Sequence, residues 1–322
     1  MLSAPGGPLL GLDLGGTNIK GVVVAADRIL AQHQVPTPGG GQVEVTAALV
    51  GLGRSLLAGR PPAAVGVAVP GVVDMAGGRV LFLPNVAGDW EGHPLTAVLE
   101  GALGCPCALL NDGRAATFGE FQLGAGRGCR HLALVAVGTG IGGGIVVDGR
   151  LVLGGAGHAG EVGHQLLDPS GPLCGCGQRG CAEALASGRA LRVAAARALA
   201  EGRVSALGDG PGGLDALTPR RVAEAALQGD RLASELLAAQ ARCLGLLVAN
   251  LVLLCNPERV VVGGGVALAG APLLDGIRET LAARCGWYLR HAPVEVVPAA
   301  LGPLAGALGA AAWAAARPRT AT

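Results

Sequence analysis

Two stretches of this 322-residue chain repeat one pattern, and the repeat limits the folds open to it. Residues 8–25 read Pro-Leu-Leu-Gly-Leu-Asp13-Leu-Gly15-Gly16-Thr17-Asn-Ile-Lys20-Gly-Val-Val-Val-Ala. Residues 131–147 read His-Leu-Ala-Leu-Val-Ala-Val-Gly138-Thr139-Gly140-Ile-Gly142-Gly-Gly-Ile-Val-Val. Each is an apolar run, a Gly/Thr turn and a second apolar run, the signature of two strands joined as a hairpin. The spacing of the copies predicts two α/β halves with one such hairpin each. Further strands are predicted over 64–69, up to 110, and over 259–262 and 294–297. Apolar residues at helical spacing predict helices over 43–57, 113–122, 189–200, 219–227, 231–254, 273–283 and 303–316. Residues 201–217 lack periodicity and read as a loop. Alternating strands and helices imply sheets covered by helices. The expected division is a small N-terminal α/β domain over 1–112, joined by the helix 303–316, and a larger α/β domain over 113–302 that contains a metal loop.

Composition narrows the function classes. The chain is 51% apolar, enough for a large core, with only three Trp, one Tyr and three Phe, so Val, Leu and Ala must fill it. Its net charge of +1 with interspersed signs argues against a nucleic-acid partner. The first twelve residues carry no Lys or Arg, so no signal-peptide n-region is read there. The apolar run 243–255 is shorter than a bilayer span. A cytoplasmic protein with reduced cysteines is therefore expected. Cys105-Pro-Cys107 lacks the Cys-x-x-Cys spacing of a redox pair and reads as structural.

The densest chemical signal is His164-Gln-Leu-Leu-Asp-Pro-Ser-Gly-Pro-Leu-Cys174-Gly-Cys176-Gly-Gln-Arg-Gly-Cys181-Ala-Glu183. Three cysteines and a histidine match the Cys3His set of a closed tetrahedral zinc site. Ordinary buried cysteines are the bland alternative, and four ligand types at such close spacing argue against it. Zinc on His164, Cys174, Cys176 and Cys181 would also fix Glu161 and Glu183 in space. The second imidazole nitrogen of His164 would remain for another partner.

The hairpin turns suit phosphate, because glycine exposes backbone N–H groups without a Cβ in the way. A plain hairpin is the alternative for either turn alone; two matched turns and a strand-end Asp13, suited to Mg²⁺ directly or through water, favour phosphate. Neither turn fits the Walker or Rossmann pattern. In Leu110-Asn111-Asp112-Gly113-Arg114, a strand runs into a helix. Asp112 reads either as an N-cap or as a general base at a strand end, where α/β proteins bind ligands.

Taken in order, Asp-Leu-Gly-Gly-Thr-Asn-Ile-Lys, Asn-Asp-Gly-Arg-Ala-Ala, Gly-Thr-Gly-Ile-Gly-Gly-Gly, Ala-Gly-Glu-Val-Gly-His and Cys-Gly-Cys-Gly-Gln-Arg-Gly-Cys-Ala-Glu resemble the ROK family of repressors and sugar kinases. The resemblance covers residues 11 to about 265. It implies two ribonuclease-H-like domains of the actin-like ATPase kind around a cleft, and ATP-dependent phosphorylation of a hexose 6-hydroxyl. Asp112 would be the catalytic base. Asn111, Asp112, Glu161, His164, Glu183, Gly71 and Asn85 would bind the sugar. Asp13, Gly15, Gly16, Thr17 and Lys20, with Gly138, Thr139, Gly140 and Gly142, would face ATP and Mg²⁺, and Gly263, Gly264 and Gly265 would lie under the nucleoside. His164, Cys174, Cys176 and Cys181 would hold structural zinc.

The family's repressors carry a helix-turn-helix before the Asp-x-Gly-Gly-Thr motif, which here begins at Asp13. Within its kinases the cysteine pattern resembles the glucokinase branch, with N-acetylmannosamine and N-acetylglucosamine kinases as alternatives and a non-catalytic sugar sensor as the alternative of another class. The family implies a homo-oligomer, a dimer or tetramer. Arg114 departs from the small or polar residues usual after Asn-Asp, beside the expected base.

Overall fold

The computed structural model describes residues 7–26, 28–209 and 217–316. Part of the expected loop 201–217 lies outside them; its described portion includes a short 3-10 turn at Ala206–Gly208. The chain forms two compact units. Unit one takes the described residues of Met1–Gly128, Leu151–Gly160 and Ala300–Thr322, and unit two those of Cys129–Arg150 and Glu161–Ala299.

In unit one the strands are β1 (Leu9–Leu14), β2 (Asn18–Ala25), β3 (Arg28–Pro36), β4 (Ala64–Val69), the small hairpin β5 (Val72–Asp74) and β6 (Arg79–Phe82), and β7 (Cys107–Asn111). The five-stranded sheet runs β3-β2-β1-β4-β7. β1–β2–β3 are antiparallel, while β1, β4 and β7 are parallel. Helices α1 (Gln42–Leu57) and α2 (Leu95–Leu103) cover one face. Alternate strand residues Leu10, Leu12, Val65, Val67 and Leu109 meet Val45, Leu49, Leu95 and Leu99 in one apolar core. Strand periodicity of two makes this possible, since every second side chain faces the same helices.

The other face is built differently. Helix α3 (Asp112–Leu123) and helix α9 (Ala305–Ala316) pack on each other, and α9 lies on β1 and β4. Much of that contact is backbone against backbone. A Cβ on Gly11 would collide with the Ala307 carbonyl, and one on Gly66 with the Ala310 carbonyl. Gly309 likewise sits on the Ala115 carbonyl of α3. The expected join at Asn111–Asp112 therefore moves: α3 stays with unit one, which continues to Gly128, because its packing surface is α9.

Unit two repeats the topology. Its strands are β8 (Leu132–Val137), β9 (Ile141–Val147), β10 (Arg150–Leu151), whose Leu151 already counts in unit one, β11 (Arg259–Gly263) and β12 (Glu295–Pro298). The order is β10-β9-β8-β11-β12, with β8–β9 antiparallel and β8, β11 and β12 parallel. Each sheet thus carries one of the two repeated hairpins at the equivalent place. Helices α4 (Ala182–Ala186), α5 (Gly188–Ala200), α6 (Pro219–Leu227), α7 (Arg231–Cys255) and α8 (Ala271–Leu289) complete the unit. α7 is long and apolar enough to cross a membrane by length and composition, but most of its apolar window is buried, where it packs against α6 and α8.

All nine cysteines are free. Burial and the nearby Glu100 push the Cys105 thiol up to about 11 and raise Cys107 as well, which keeps both protonated and fits the structural reading.

Gly66→Ala should lose about 1–3 kcal/mol in urea unfolding, since the new methyl group meets backbone that cannot swing aside. Gly51→Ala, on exposed α1 with open space around it, should be neutral or gain up to about 1 kcal/mol.

Candidate functional site

In unit one the β1–β2 turn is held from behind. Gly15 N donates to Asn18 O at 3.0 Å. Thr37, just past β3, donates its N–H to Thr17 O at 2.9 Å and its hydroxyl to Gly15 O at 2.7 Å. The turn's carbonyls are thereby engaged, and Gly16 and Thr17 are exposed. Asn85, in the left-handed region at φ 61°, lies against Gly16: a Cβ there would meet the Asn85 carbonyl at 3.1 Å. Asp13 pairs with Lys20 across the hairpin. Burial pushes the Asp13 carboxyl above the usual range, and Lys20 offsets part of that. Gly306, in the first turn of α9, lies against this carboxylate, where a Cβ would come within 2.7 Å.

The strand-to-helix step assigns the helix cap. The N-cap of α3 is Asn111, whose side-chain oxygen accepts from Gly113 N at 3.0 Å and Arg114 N at 3.2 Å. Asn111 Nδ2 donates to Gly71 O at 3.0 Å. Asp112 is the first helical residue; its Oδ1 accepts from Gly113 N at 2.7 Å. Capping is thus assigned to the amide, and the half-buried carboxylate is not the cap. Asn111 keeps at most one amide hydrogen for a ligand. Gly71, at φ 87°, is pressed against the Phe82 carbonyl and Pro84, a position only glycine fits.

In unit two the β8–β9 turn is seated on the start of α5. Gly188 N donates to Gly138 O at 2.8 Å and Arg189 N to Thr139 O at 3.3 Å. Glu183 Oε2 accepts from Ile141 N at 2.9 Å, and a Cβ on Gly140 would strike that carboxylate. Gly263 ends β11 opposite Ala136, and Gly264, at φ 84°, packs against the Val137 backbone. The Gly263–Gly265 run therefore adjoins the Gly138–Gly142 turn. Gly265 is exposed with open space beside it.

His164, Cys174, Cys176 and Cys181 converge, with one ligand atom of each within 4.8 Å of the others. Cys174 Sγ is 3.7 Å from His164 Nδ1, and Cys176 Sγ is 3.7 Å from Cys181 Sγ. Ligand bonds of about 2.3 Å for sulfur and about 2.0 Å for nitrogen around a tetrahedral ion require edges of about 3.5–3.8 Å, which these two contacts match, and three thiols with an imidazole are donors of the kind zinc takes. Gly180, at φ 72°, has no room for a Cβ beside the Asp168 carbonyl, which lets the loop turn back on itself. Cys174 Sγ also lies 3.9 Å from Glu183 Oε1. Glu183 thus connects the cysteine cluster to the glycine turn. Glu161 joins the cluster through its carbonyl, which accepts from His164 N at 3.1 Å.

Residues 9–317 match the ROK family. The chain belongs to the ROK family. It is 38% identical over 315 residues to the glucokinase of Streptomyces coelicolor, covering 95% of this chain and 96% of that one. It is 34% identical over 310 residues to an N-acetylmannosamine kinase of Haemophilus influenzae, covering 94% of each. The crystal structure of a ROK family glucokinase from Streptomyces griseus, in complex with glucose and AMPPNP, superposes with a TM-score of 0.84 at 38% identity, covering 96% of this chain and 99% of that chain. The two α/β units with matching sheets are thus the actin-like ATPase fold expected of a ROK protein.

Several residues of this ROK protein's site escaped sequence reasoning. Thr37 and Gly306 lie far in sequence from the turn and carboxylate they support, and no local pattern marks them. Arg114, singled out in the sequence as a departure beside Asp112 but with no partner assigned, is 2% exposed, and its Nε donates to Ala159 O at 2.6 Å. Glu120 is fully buried, and it had a signal: Gly113, Thr117 and Glu120 follow the helical spacing of the buried stripe of α3.

Asn111→Ala should cost about 0.5–2 kcal/mol in denaturant unfolding through the lost cap. Asn111→Asp should keep the cap but lose the bond to Gly71 O and set a carboxylate oxygen against that carbonyl, so it should recover only part of the loss.

Proposed function

We propose that this ROK protein transfers the terminal phosphoryl group of ATP to the 6-hydroxyl of a hexose, with glucose as the substrate. The observation that supports the reading is the place of Asp112: a half-buried carboxylate at the step from β7 into α3, beside the Asn111 cap, in a ROK chain 38% identical to a glucokinase. Asp112 accepts the hydroxyl proton as the sugar oxygen attacks the γ-phosphorus and ADP leaves. Asn111, Gly71 and Asn85, and Glu161, His164 and Glu183, bind the sugar. The turns 15–17 and 138–142 bind phosphate oxygens, and Gly263–Gly265 binds the nucleoside. An enclosed carboxylate with a raised pKa gains from a cation, so Asp13 is the residue to hold Mg²⁺, which when bound offsets phosphate charge. Structural zinc on the Cys3His cluster would keep Glu161 and Glu183 in place. Glucose rests on the similarity to the Streptomyces glucokinases, and the N-acetylmannosamine kinase similarity supplies the second substrate to test.

A coupled ADP-release assay with glucose, mannose, fructose, N-acetylglucosamine and N-acetylmannosamine should give its highest kcat/KM with glucose. Highest turnover with N-acetylmannosamine would transfer the substrate assignment. No turnover by folded, zinc-loaded protein would overturn the ATP-dependent kinase reading. Asp112→Asn should retain glucose affinity by calorimetry while kcat falls about 10²-fold or more. Chelation should remove one equivalent of zinc per chain and weaken glucose binding, with recovery on adding zinc back; unchanged glucose affinity in metal-free protein would reject the structural role.

A further inference from the structure

The backbone passes between the two units at 128/129, 150/151, 160/161 and 299/300. Any movement of one unit against the other must turn on these passages. Helix α3 holds the backbone next to three of them, 128/129, 160/161 and 299/300. The Glu120 carboxylate is 0% exposed. Its Oε2 accepts from Ala125 N at 2.8 Å and Ala300 N at 3.1 Å, and its Oε1 from Leu301 N at 2.8 Å. Its main-chain carbonyl accepts from Gly124 N at 3.0 Å and Gly126 N at 2.9 Å. One residue therefore gathers the segment leading to the first passage and the segment returning from the last, the latter 180 positions from Glu120 in sequence.

The chemistry of that grip is unusual. Among the described residues no cationic side chain pairs with Glu120, so backbone N–H groups alone answer the buried charge. A buried carboxylate is costly unless it is fully hydrogen-bonded. Letting either segment swing away would strand the charge, so both are fixed to α3. Two turns earlier on the same helix, the buried Arg114 holds Ala159, beside the passage at 160/161. Ala159 N donates in turn to Leu153 O at 3.0 Å, which ties the two limbs of 151–160 together. The Asp112 carboxylate stands at the head of this helix.

We propose that Glu120, with Arg114, makes α3 the fixed bearing of the interdomain connections, so that both are positioning residues for phosphoryl transfer. This role rests on the kinase reading above; the hydrogen bonds themselves do not. Phosphoryl transfer depends on placement to within about an ångström, and loss of it costs on the order of 10²-fold. Play in the connections therefore lowers catalysis without touching the substrate.

The test is Glu120→Gln in the full chain, with Glu100→Gln as control. Glu100 Oε1 also accepts a backbone N–H, that of Cys107 at 2.9 Å, away from every passage. An amide at 120 must turn its NH2 toward one set of N–H donors. Hydrogen exchange at Ala125, Ala300 and Leu301 should then accelerate about tenfold or more, since charge-assisted bonds are the strong ones. Zinc content should be unchanged, and kcat/KM for glucose and for ATP should fall about 10-fold to 10²-fold. Arg114→Met should give the same kinetic defect, with faster exchange confined to 151–160. Wild-type exchange at all three Glu120 amides would overturn the grip. Faster exchange with kcat and both KM values within twofold of Glu100→Gln would reduce Glu120 to a structural residue and overturn the positioning role. A wild-type chain without kinase activity would remove the kinase reading and the positioning role with it, while the exchange data would still decide whether the carboxylate holds the connections.

Discussion

The contact of α9 with β1, β4 and α3 is made by backbone against backbone, and the arrangement of unit one depends on it. Gly11, Gly66, Gly119 and Gly309 each face a main-chain atom where a side chain would sit. At these positions there is no room for a Cβ between the helix and its neighbours. Two consequences follow. Gly306 comes to rest on the Asp13 carboxylate, and α3 is held along its length, with Phe118 against Trp313 edge to face at 5.5 Å. The residues that would perform the chemistry, Asp13 and Asp112, are positioned by a segment some two hundred residues or more away in sequence.

Unit two reaches a comparable rigidity by other means. Its β8–β9 turn is seated on the N-terminus of α5 by two backbone hydrogen bonds and stapled by Glu183, whose other oxygen lies by Cys174. A small, glycine-rich loop has little apolar surface to bury, so cross-links must replace a core. A tetrahedral ion on the four converging ligands would supply them. Glu183 Oε2 accepts the Ile141 N–H at the turn, and its Oε1 lies beside Cys174.

Much of the fold was legible because its signals are local. The two hairpins, β4 and the helices α1, α5, α6 and α7 lie within about a residue or two of the limits read from periodicity. β3 escaped because it is a mostly exposed edge strand of mixed polar and apolar residues with no alternation to read. α2 escaped at nine residues, too short for a convincing stripe. The cysteine and histidine spacing announced a cluster, and the geometry brings all four ligands together. The pairing of Asn85 with Gly16 and of Asn111 with Gly71 had no sequence signature, since each joins residues many positions apart.

The sequence by itself determined the chemistry on offer: two glycine turns for anions, a carboxylate at each of two strand ends, and soft ligands for one metal. Those are properties of residue type and short-range spacing. Tertiary structure alone decided which of two adjacent polar residues caps α3, because that depends on where the strand enters the helix. It also decided that Arg114 turns to the Ala159 carbonyl, and that Glu120 is spent on backbone at both ends of the connection. A buried polar group takes whichever partner packing places within reach, and packing is settled only when the distant segments have met.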